Sequence, residues 1–374
     1  MKTALIIGGF AESLLNFRAP VIRALKAKGC RVVVSAPAPF PEQHIQALQA
    51  MGAEIRPIRL SRTGLNPLAD LLTVWSIWKV IREVRPQAML AYTVKPVIFG
   101  GIATALARVP RRCAWITGLG FAFSEGTGLK KRLIRSVMTV LYRVSLRRYN
   151  AVLFQNNDDQ TLFRELGLVE AQQRVEVTAG SGIDTERYPV TDLPTAPVFL
   201  MAARLLRDKG VAEYVRAAAL LRARHPEVRC LLAGDLDPGP DSVTQKELED
   251  WQQEGNIEYL GWQSDIRLAL AQCRIYVLPS YYREGLPRSI LEAMAMGRPV
   301  ITTEAPGCRD AVEAGENGLL VPVRDAVALA GAMEVLVLDP GLAQAMGHFG
   351  RDLSVSKFEA RKVSAQVVAA MGMG

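Results

Sequence analysis

The sequence predicts an α/β protein of two doubly wound parallel-sheet domains facing a cleft, and three observations carry that prediction. Short apolar, β-rich runs alternate with longer amphipathic segments along the chain, the pattern of a parallel sheet covered by helices on both faces. A proline-bearing stretch, RYPVTDLPTAP at 187–197, divides the series in two. A chain of 374 residues, 49% of them hydrophobic, can furnish a core for each half.

Taken in order, strands are predicted at 4–7, 31–35, 54–58 and 88–91, then around Ala114 and Val152. Helices fill the gaps, for example at 19–28 and 67–84. After the linker, strands follow at 198–202, 229–233, 257–260, 275–278, 299–302 and 319–321. The predicted domains are 1–188 and 189–352, with a C-terminal helix in 353–374 returning to the first. Doubly wound sheets bind ligands beyond the carboxyl ends of their strands, so a ligand shared by both domains would lie in the cleft.

Composition narrows the function classes. The five cysteines, Cys30, Cys113, Cys230, Cys273 and Cys308, lie far apart with no Cys-x-x-Cys pair, which argues against a zinc site or a disulfide framework and fits a reducing cytoplasm. MKTALIIGGF reads as a first buried strand rather than a signal peptide. No run approaches the ~20 apolar residues that a spanning helix requires. The net charge of +8 implies an anionic partner: nucleic acid, phospholipid or a phosphorylated substrate.

The second half carries the sharper chemistry. FLMAA ends a predicted strand, and Arg204 and Lys209 in the following RLLRDKG project near the sheet's carboxyl edge. A guanidinium fork and a mobile ammonium could together hold a diphosphate, although the Arg-x4-Lys pair by itself would pass for ordinary surface cations on an exposed loop. In YYREGLPRSILEAMAMGRPV, Pro287 suits the start of a helix and Gly297 its end. Glu284 then precedes the helix, and Glu292 sits inside it among apolar residues, where an unpartnered carboxylate is costly. Helix N-termini attract phosphate, and carboxylates accept from hydroxyls. A nucleotide-sugar would use all of these groups, with Glu284 facing the donor sugar and Glu292 the ribose. The plain alternatives are a loop acid at 284 and a dipole-stabilising or solvated helix acid at 292.

REGLPRSILEAMAMGRPVITT with its Glu-x7-Glu spacing, preceded by ARLLRDKG and AGD and followed by GCRDAVEAGENGLLVP, resembles the family 4 retaining glycosyltransferases of the GT-B fold. The resemblance covers essentially all of the second domain. It implies that Arg204 and Lys209 contact the donor diphosphate, Glu284 the transferred sugar and Glu292 the ribose. The backbone at Gly285 and Leu286, leading into Pro287, would lie against the donor. Asp235-x-Asp237 in AGDLDPGPD is then a turn rather than a metal site, and no metal or other cofactor is expected, because the basic pair and the helix end replace the cation. Arg288 has no role in this scheme.

In the first half, Gly8 and Gly9 follow the first strand, where small residues allow close backbone approach to a ligand. The Gly-x-Gly-x-x-Gly fingerprint is absent and the second strand ends in Val34-Ser35-Ala36 without an acid, which counts against an oxidoreductase. This glycine loop with Asn16-Phe17-Arg18, TVKPVIFGG and ITGLGFAF is similar to the family 4 branch that extends glycans on undecaprenyl diphosphate, including N-acetylgalactosaminyltransferases. Arg18 and Lys95 would then meet the acceptor diphosphate, and Thr117 and Gly118 would line the reaction centre. Many family 4 members carry a histidine near there, whereas His44, His225 and His348 all lie elsewhere.

A lipid-linked acceptor requires an enzyme that can sit on a membrane. Residues 129–148 place basic residues at 130, 131, 132, 135, 143, 147 and 148 around an apolar set, as suits an interfacial helix drawn to anionic headgroups. A domain helix with solvated charges is the alternative. Nucleic acid is disfavoured, because aromatics are not interleaved with these bases. The expectation is a cytoplasmic enzyme, peripheral to the inner face of the membrane, moving an N-acetylhexosamine or hexose from a UDP-sugar to a polyprenyl-diphosphate-linked saccharide. The alternatives are an epimerase of the same fold, which needs acid/base residues that this histidine-poor chain does not obviously supply, a transferase with a soluble acceptor, and a non-catalytic nucleotide-sugar-binding module.

Overall fold

The computed structural model describes residues 1–61, 66–119, 123, 128–237, 239 and 241–374, without the side chains of Lys130 and Lys131. Residues 120–122 of the ITGLGFAF motif, the two lysine side chains at the start of the predicted interfacial helix, and Pro238 and Pro240 of AGDLDPGPD lie outside the described residues. The chain forms two compact units, Met1–Ser181 with Ala360–Gly374, and Gly182–Glu359.

The described residues of the first unit form a parallel sheet of β1 (Thr3–Ile7), β2 (Arg31–Ser35), β3 (Ala53–Ile55), β4 (Ala88–Tyr92), β5 (Arg111–Trp115), β6 (Ala151–Phe154) and β7 (Arg174–Val177) in the order β3-β2-β1-β4-β5-β6-β7. The central strands are apolar and buried along their length, as a sheet covered on both faces demands. One face packs α3 (Pro67–Val84), α4 (Val94–Ala107), α5 (Leu129–Leu146) and α6 (Asn157–Glu165). The other carries α1 (Ala11–Ala27), α2 (Glu42–Ala50) and the C-terminal helix Ala360–Ala370. Helix α4 approaches α5 closely because Gly101 has no side chain: a Cβ there would lie 2.4 Å from Ser145 Oγ.

Three elements differ from the sequence reading. Helix α1 begins at Ala11 rather than 19 and runs through Pro20, because Ala11 and Leu14 bury on the same face as Ile22 and Leu25. The strand expected at 54–58 is β3, which ends at Ile55; Ile58 makes only an isolated bridge to Pro37. Strand β7, RVEV, was not expected, since its charged residues at a sheet edge conceal the apolar pattern.

The second unit has β8 (Val198–Ala202), β9 (Arg229–Ala233), β10 (Glu258–Gly261), β11 (Ile275–Leu278), β12 (Val300–Thr303) and β13 (Gly318–Val321) in the order β10-β9-β8-β11-β12-β13, all parallel. Its helices are α7 (Val211–Arg222), α8 (Gln245–Gln253), α9 (Ile266–Gln272), α10 (Arg288–Ala295), α11 (Ala326–Leu338) and α12 (Pro340–Ser356). The sequence reading set boundaries at 188 and 352, whereas the contacts set them at 181 and 359. The Ile183 N–H donates to Phe358 O at 2.8 Å and Thr185 Oγ1 to Glu359 Oε2 at 2.6 Å, so both connecting segments belong to this unit.

Each sheet therefore has one place where the strand order reverses, between β1 and β4 in the first unit and between β8 and β11 in the second. There, successive loops leave toward opposite faces and open a crevice at the carboxyl edge.

At the opposite edge of the second sheet the fully buried Arg298 collects carbonyls. It donates to Leu270 O (2.9 Å), Cys273 O (3.1 Å), Met296 O (2.7 Å) and Thr191 O (2.5 Å), and so pins the linker to the amino ends of the strands. Replacing Arg298 with Met should cost about 3 kcal/mol or more, since charge-assisted hydrogen bonds contribute roughly 1.5–3 kcal/mol each and the orphaned carbonyls add to the loss. A denaturant-midpoint measurement checks this, and an unchanged midpoint would refute it.

Candidate functional site

In the second unit the reversal of strand order brings together the loops that follow β8 and β11. After Arg204 the chain makes a 3₁₀ turn, Arg207–Lys209, and closes at Gly210 with φ +78°. The carbonyl of Asp208 accepts from the N–H groups of Tyr281 (2.9 Å) and Tyr282 (3.0 Å) and from Ser280 Oγ (3.2 Å). Lys209 Nζ forms an ion pair with Glu284 Oε1, both side chains being largely buried, and lies over the Tyr282 ring at 4.8 Å. Ser280 Oγ also lies 3.3 Å from the same carboxylate, so its one proton is shared between that oxygen and the Asp208 carbonyl. Two glycines make this seam possible. A Cβ at Gly210 would sit 2.1 Å from Pro279 O, and one at Gly307, also at positive φ, 2.5 Å from Gly285 O.

Beside the seam is a cavity of about 420 Å³ at the carboxyl ends of β8 and β9, with Arg204 on one wall and Ser289 and Glu292 of α10 on another. Gly234 keeps its floor flat: a Cβ there would lie 1.8 Å from Ala203 O. Arg204 Nη1 donates to Asp237 Oδ2 at 3.0 Å, so the second acid of the Asp-x-Asp pair is a partner of the first basic residue. Pro287 stands at the N-cap of α10, its ring offers no side-chain cap to the first turn, and Gly285, Leu286 and Pro287 form a buried segment leading into the helix, outside the cavity lining. Arg204 and Glu292 thus share one cavity, while Lys209 and Glu284 meet at the adjoining seam.

Glu292 resolves differently from its isolated look in the sequence. Its Oε1 accepts from Tyr188 OH at 2.7 Å and from Arg288 Nε, one helical turn earlier, at 2.9 Å. Burial, reinforced by the Glu292 charge, pushes the Tyr188 phenol up to about 12, so it stays protonated and donates. Arg288, unexplained in sequence, is the cation that makes a carboxylate tolerable in an apolar helix; the i,i+4 Arg–Glu spacing was the available signal. Tyr188 lies about 100 residues away in sequence, and nothing local marks it. The third residue missed is Trp262, 65% exposed on the cavity wall after β10. An indole so exposed in a ligand-sized cavity offers a stacking surface.

In the first unit the candidates gather at the ends of β1, β4 and β5. Gly8 and Gly9 owe their size to neighbours within the fold, since a Cβ at Gly8 would lie 2.3 Å from Tyr92 OH and one at Gly9 2.6 Å from Thr93 Oγ1. Arg18 is only 2% exposed, its guanidinium stacked between the rings of Tyr92 (4.2 Å) and Trp115 (3.9 Å) and donating to Ser181 Oγ at 3.0 Å. Lys95, in the first turn of α4, pairs with Asp70 of α3 at 3.1 Å. Thr117 is half-buried beyond β5, next to Gly118 at φ +119°. Thr93 holds φ +66° at the start of α4, a conformation costly for a β-branched residue and of the kind that collects at functional edges.

The seam gives a direct test. Gly210→Ala forces a Cβ onto the Pro279 carbonyl at a positive φ, which should cost ~1–3 kcal/mol or more, or several degrees in Tm at ~2–4 °C per kcal/mol for a unit of this size. Thermal unfolding followed by circular dichroism checks this; no shift would contradict the close approach.

Comparison with known proteins agrees with this geometry. Residues 18–180 match the family model described as a glycosyl transferase 4-like domain, and residues 184–353 the model described as glycosyl transferases group 1. The N,N'-diacetylbacillosaminyl-diphospho-undecaprenol alpha-1,3-N-acetylgalactosaminyltransferase of Campylobacter jejuni is 30% identical over 344 residues, 88% of each chain. The UDP-Gal:alpha-D-GlcNAc-diphosphoundecaprenol alpha-1,3-galactosyltransferase of Escherichia coli is 25% identical over 308 residues, 79% of this chain and 77% of that one. Among solved structures, Anabaena HepE in complex with UDP and glucose shares the fold over the whole of both chains (TM-score 0.79, 20% identity). Sucrose-phosphate synthase from Thermosynechococcus elongatus does so over 98% of each (TM-score 0.78, 18% identity). With each half matched to its own family model and a 30% identical relative spanning 88% of its length, the chain belongs to the glycosyltransferases of the GT-B fold.

Proposed function

We propose that this glycosyltransferase moves an N-acetylhexosamine or hexose from a UDP-sugar to a hydroxyl of a polyprenyl-diphosphate-linked saccharide, with retention at the anomeric carbon and an α linkage, in cell-surface glycan or glycoprotein-glycan synthesis. The observation that carries this reading is the second-unit cavity, which sets a guanidinium, a buried hydroxyl-accepting carboxylate and an exposed indole around one nucleotide-sized space. The printed names of the Campylobacter and Escherichia relatives support the lipid diphosphate acceptor, and UDP in the HepE complex supports the donor base.

In this reading Trp262 stacks on the base, Glu292 accepts from the ribose hydroxyls, and Arg204 and Lys209 bind the diphosphate together with the backbone of Gly285 and Leu286 ahead of the helix. Glu284, released from Lys209 as phosphate takes its place, accepts from a hydroxyl of the transferred sugar. The acceptor oxygen attacks the anomeric carbon from the face that the diphosphate leaves, the old C–O bond breaks, and a departing phosphate oxygen takes the hydroxyl proton. Products are the glycoside and UDP, and no protein nucleophile is needed. The negative charge that develops on the diphosphate is what Arg204 and Lys209 stabilise, the largest contribution expected in such a site. On the acceptor side Lys95 meets the lipid diphosphate, Arg18 supplies a fixed positive field from beneath, and Gly8, Gly9 and Thr117 shape the edge. Among the described residues no single helix is long and apolar enough to cross a membrane. The basic helix α5 instead rests on the anionic inner face of the cytoplasmic membrane.

Arg204→Ala and Lys209→Ala should each lower kcat/KM by about 10²–10³, measured with radiolabelled donor and a lipid-linked acceptor; full activity in either would refute the diphosphate assignment. Trp262→Ala should raise KM for the UDP-sugar about tenfold, since stacking contributes ~1–3 kcal/mol and 1.4 kcal/mol is tenfold, while kcat changes little. A fall in kcat at constant KM would remove Trp262 from base binding.

A further inference from the structure

Helix α3 is apolar on one face along its C-terminal half and apolar where it should be polar at its start. Ile77, Val80, Ile81 and Val84 are buried against the sheet, as a covering helix requires. The first three turns instead expose Leu68 (75%), Leu71 (65%), Leu72 and Trp75 (53%). These turns are well ordered locally: Asn66 Oδ1 accepts from the N–H groups of Leu68 and Ala69 at 3.1 and 3.2 Å, and Pro67 fills the first position. A solvated helix gains nothing from such side chains, and a contiguous apolar patch of this kind marks an interaction surface.

A second helix repeats the pattern. Helix α5 exposes Leu129 (84%) and Leu133 (67%) in its own first turns. Helices α3 and α5 both pack against α4 on one face of the sheet, and each follows a strand, so their N-terminal turns lie at the sheet's carboxyl edge. Between them begins α4, whose Lys95 is tied to Asp70 of the α3 tip at 3.1 Å. The rim of the proposed acceptor edge is therefore apolar on both sides of the lysine assigned to the acceptor diphosphate.

Charge selects the occupant. Asp70, the one acid in 66–76, is neutralised by Lys95, and α5 contains no acid while exposing Arg132, Arg135 and Arg143 beside its apolar residues. Two copies meeting through this rim would oppose like charges. An anionic bilayer supplies both the apolar interior and the opposite charge, and tryptophan favours its interface.

We propose that the N-terminal turns of α3, led by Leu71 and Trp75, insert into the headgroup–acyl boundary of an anionic bilayer alongside the tip of α5, and so set the carboxyl edge of the first sheet against the membrane surface. This deepens the lipid-linked reading above, adding an inserted apolar anchor to the electrostatic one.

The full chain is tested on phosphatidylglycerol-containing vesicles, against pure phosphatidylcholine, by co-sedimentation and by tryptophan quenching with brominated acyl chains. Wild type should bind the anionic vesicles and be quenched, and Trp75→Phe should bind but lose most of the quenching. Leu71→Ser combined with Trp75→Ser should weaken partition at least about tenfold, because two large apolar side chains no longer leave water on binding. All substituted positions are exposed, so the melting curve should hardly move. The proposal is overturned if the double variant partitions like wild type, if quenching survives in Trp75→Phe, or if the double variant instead abolishes a self-association of the free protein with vesicle binding intact. Vesicle binding as expected together with no transfer to any lipid-linked saccharide would leave the docking surface standing and sink the acceptor assignment instead.

Discussion

The second unit depends on one seam, the contact between the loops that leave β8 and β11 at the reversal of strand order. A parallel sheet wound in both directions must part its loops there, and without further bonding the parted loops would leave Lys209 and Glu284 each half-buried and alone. The Asp208 carbonyl, shared by two successive N–H groups, ties the loops together, and the ion pair closes over it. Gly210 and Gly307 admit backbone where any side chain would collide. The motif letters RDKG and PGC are thus requirements of close approach before they are requirements of chemistry.

Three cations at this edge each meet an acid: Lys209 with Glu284, Arg204 with Asp237, and Arg288 with Glu292. Pairing offsets the cost of holding charge in a partly desolvated edge. Under the proposed function it would also make anion binding an exchange of partners rather than the filling of a bare positive hole. In the proposed reading, a diphosphate that displaces Glu284 from Lys209 turns that carboxylate, an acceptor only, toward a sugar hydroxyl. On that proposal, phosphate and sugar recognition would be coupled through the Lys209–Glu284 pair. Arg288 does not exchange in this way, because Tyr188 and Arg288 together hold Glu292 in a fixed orientation on the cavity wall.

The architecture was legible because buried parallel strands are continuous apolar runs, as in TALII, VFLMA and IYVL. Legibility failed where the fold overrides local pattern. Strand β7 carries charges at an edge, and α1 passes through Pro20 because residues before it are needed by the core. In the second unit the glycines, the basic pair and the two glutamates were visible as spacing, whereas Tyr188 and Trp262 were not, since Tyr188 meets Glu292, and Trp262 the cavity, from distant loops. Gly8 and Gly9 were visible as glycines, whereas Tyr92 and Thr93, which a Cβ at either position would strike, were not foreseeable beside them. The apolar turns of α3 were invisible for the opposite reason, since a sequence of Leu and Trp at helical spacing reads as core until the fold turns it outward.

The exchange at the seam is tested most directly by calorimetric titration of UDP into the full chain and its Glu284→Gln variant. The account predicts that UDP binds the variant at least as tightly as wild type, because Lys209 no longer has to leave an ionised partner, while transfer of the sugar is lost. UDP binding abolished by Glu284→Gln, or absent from wild type, would contradict it.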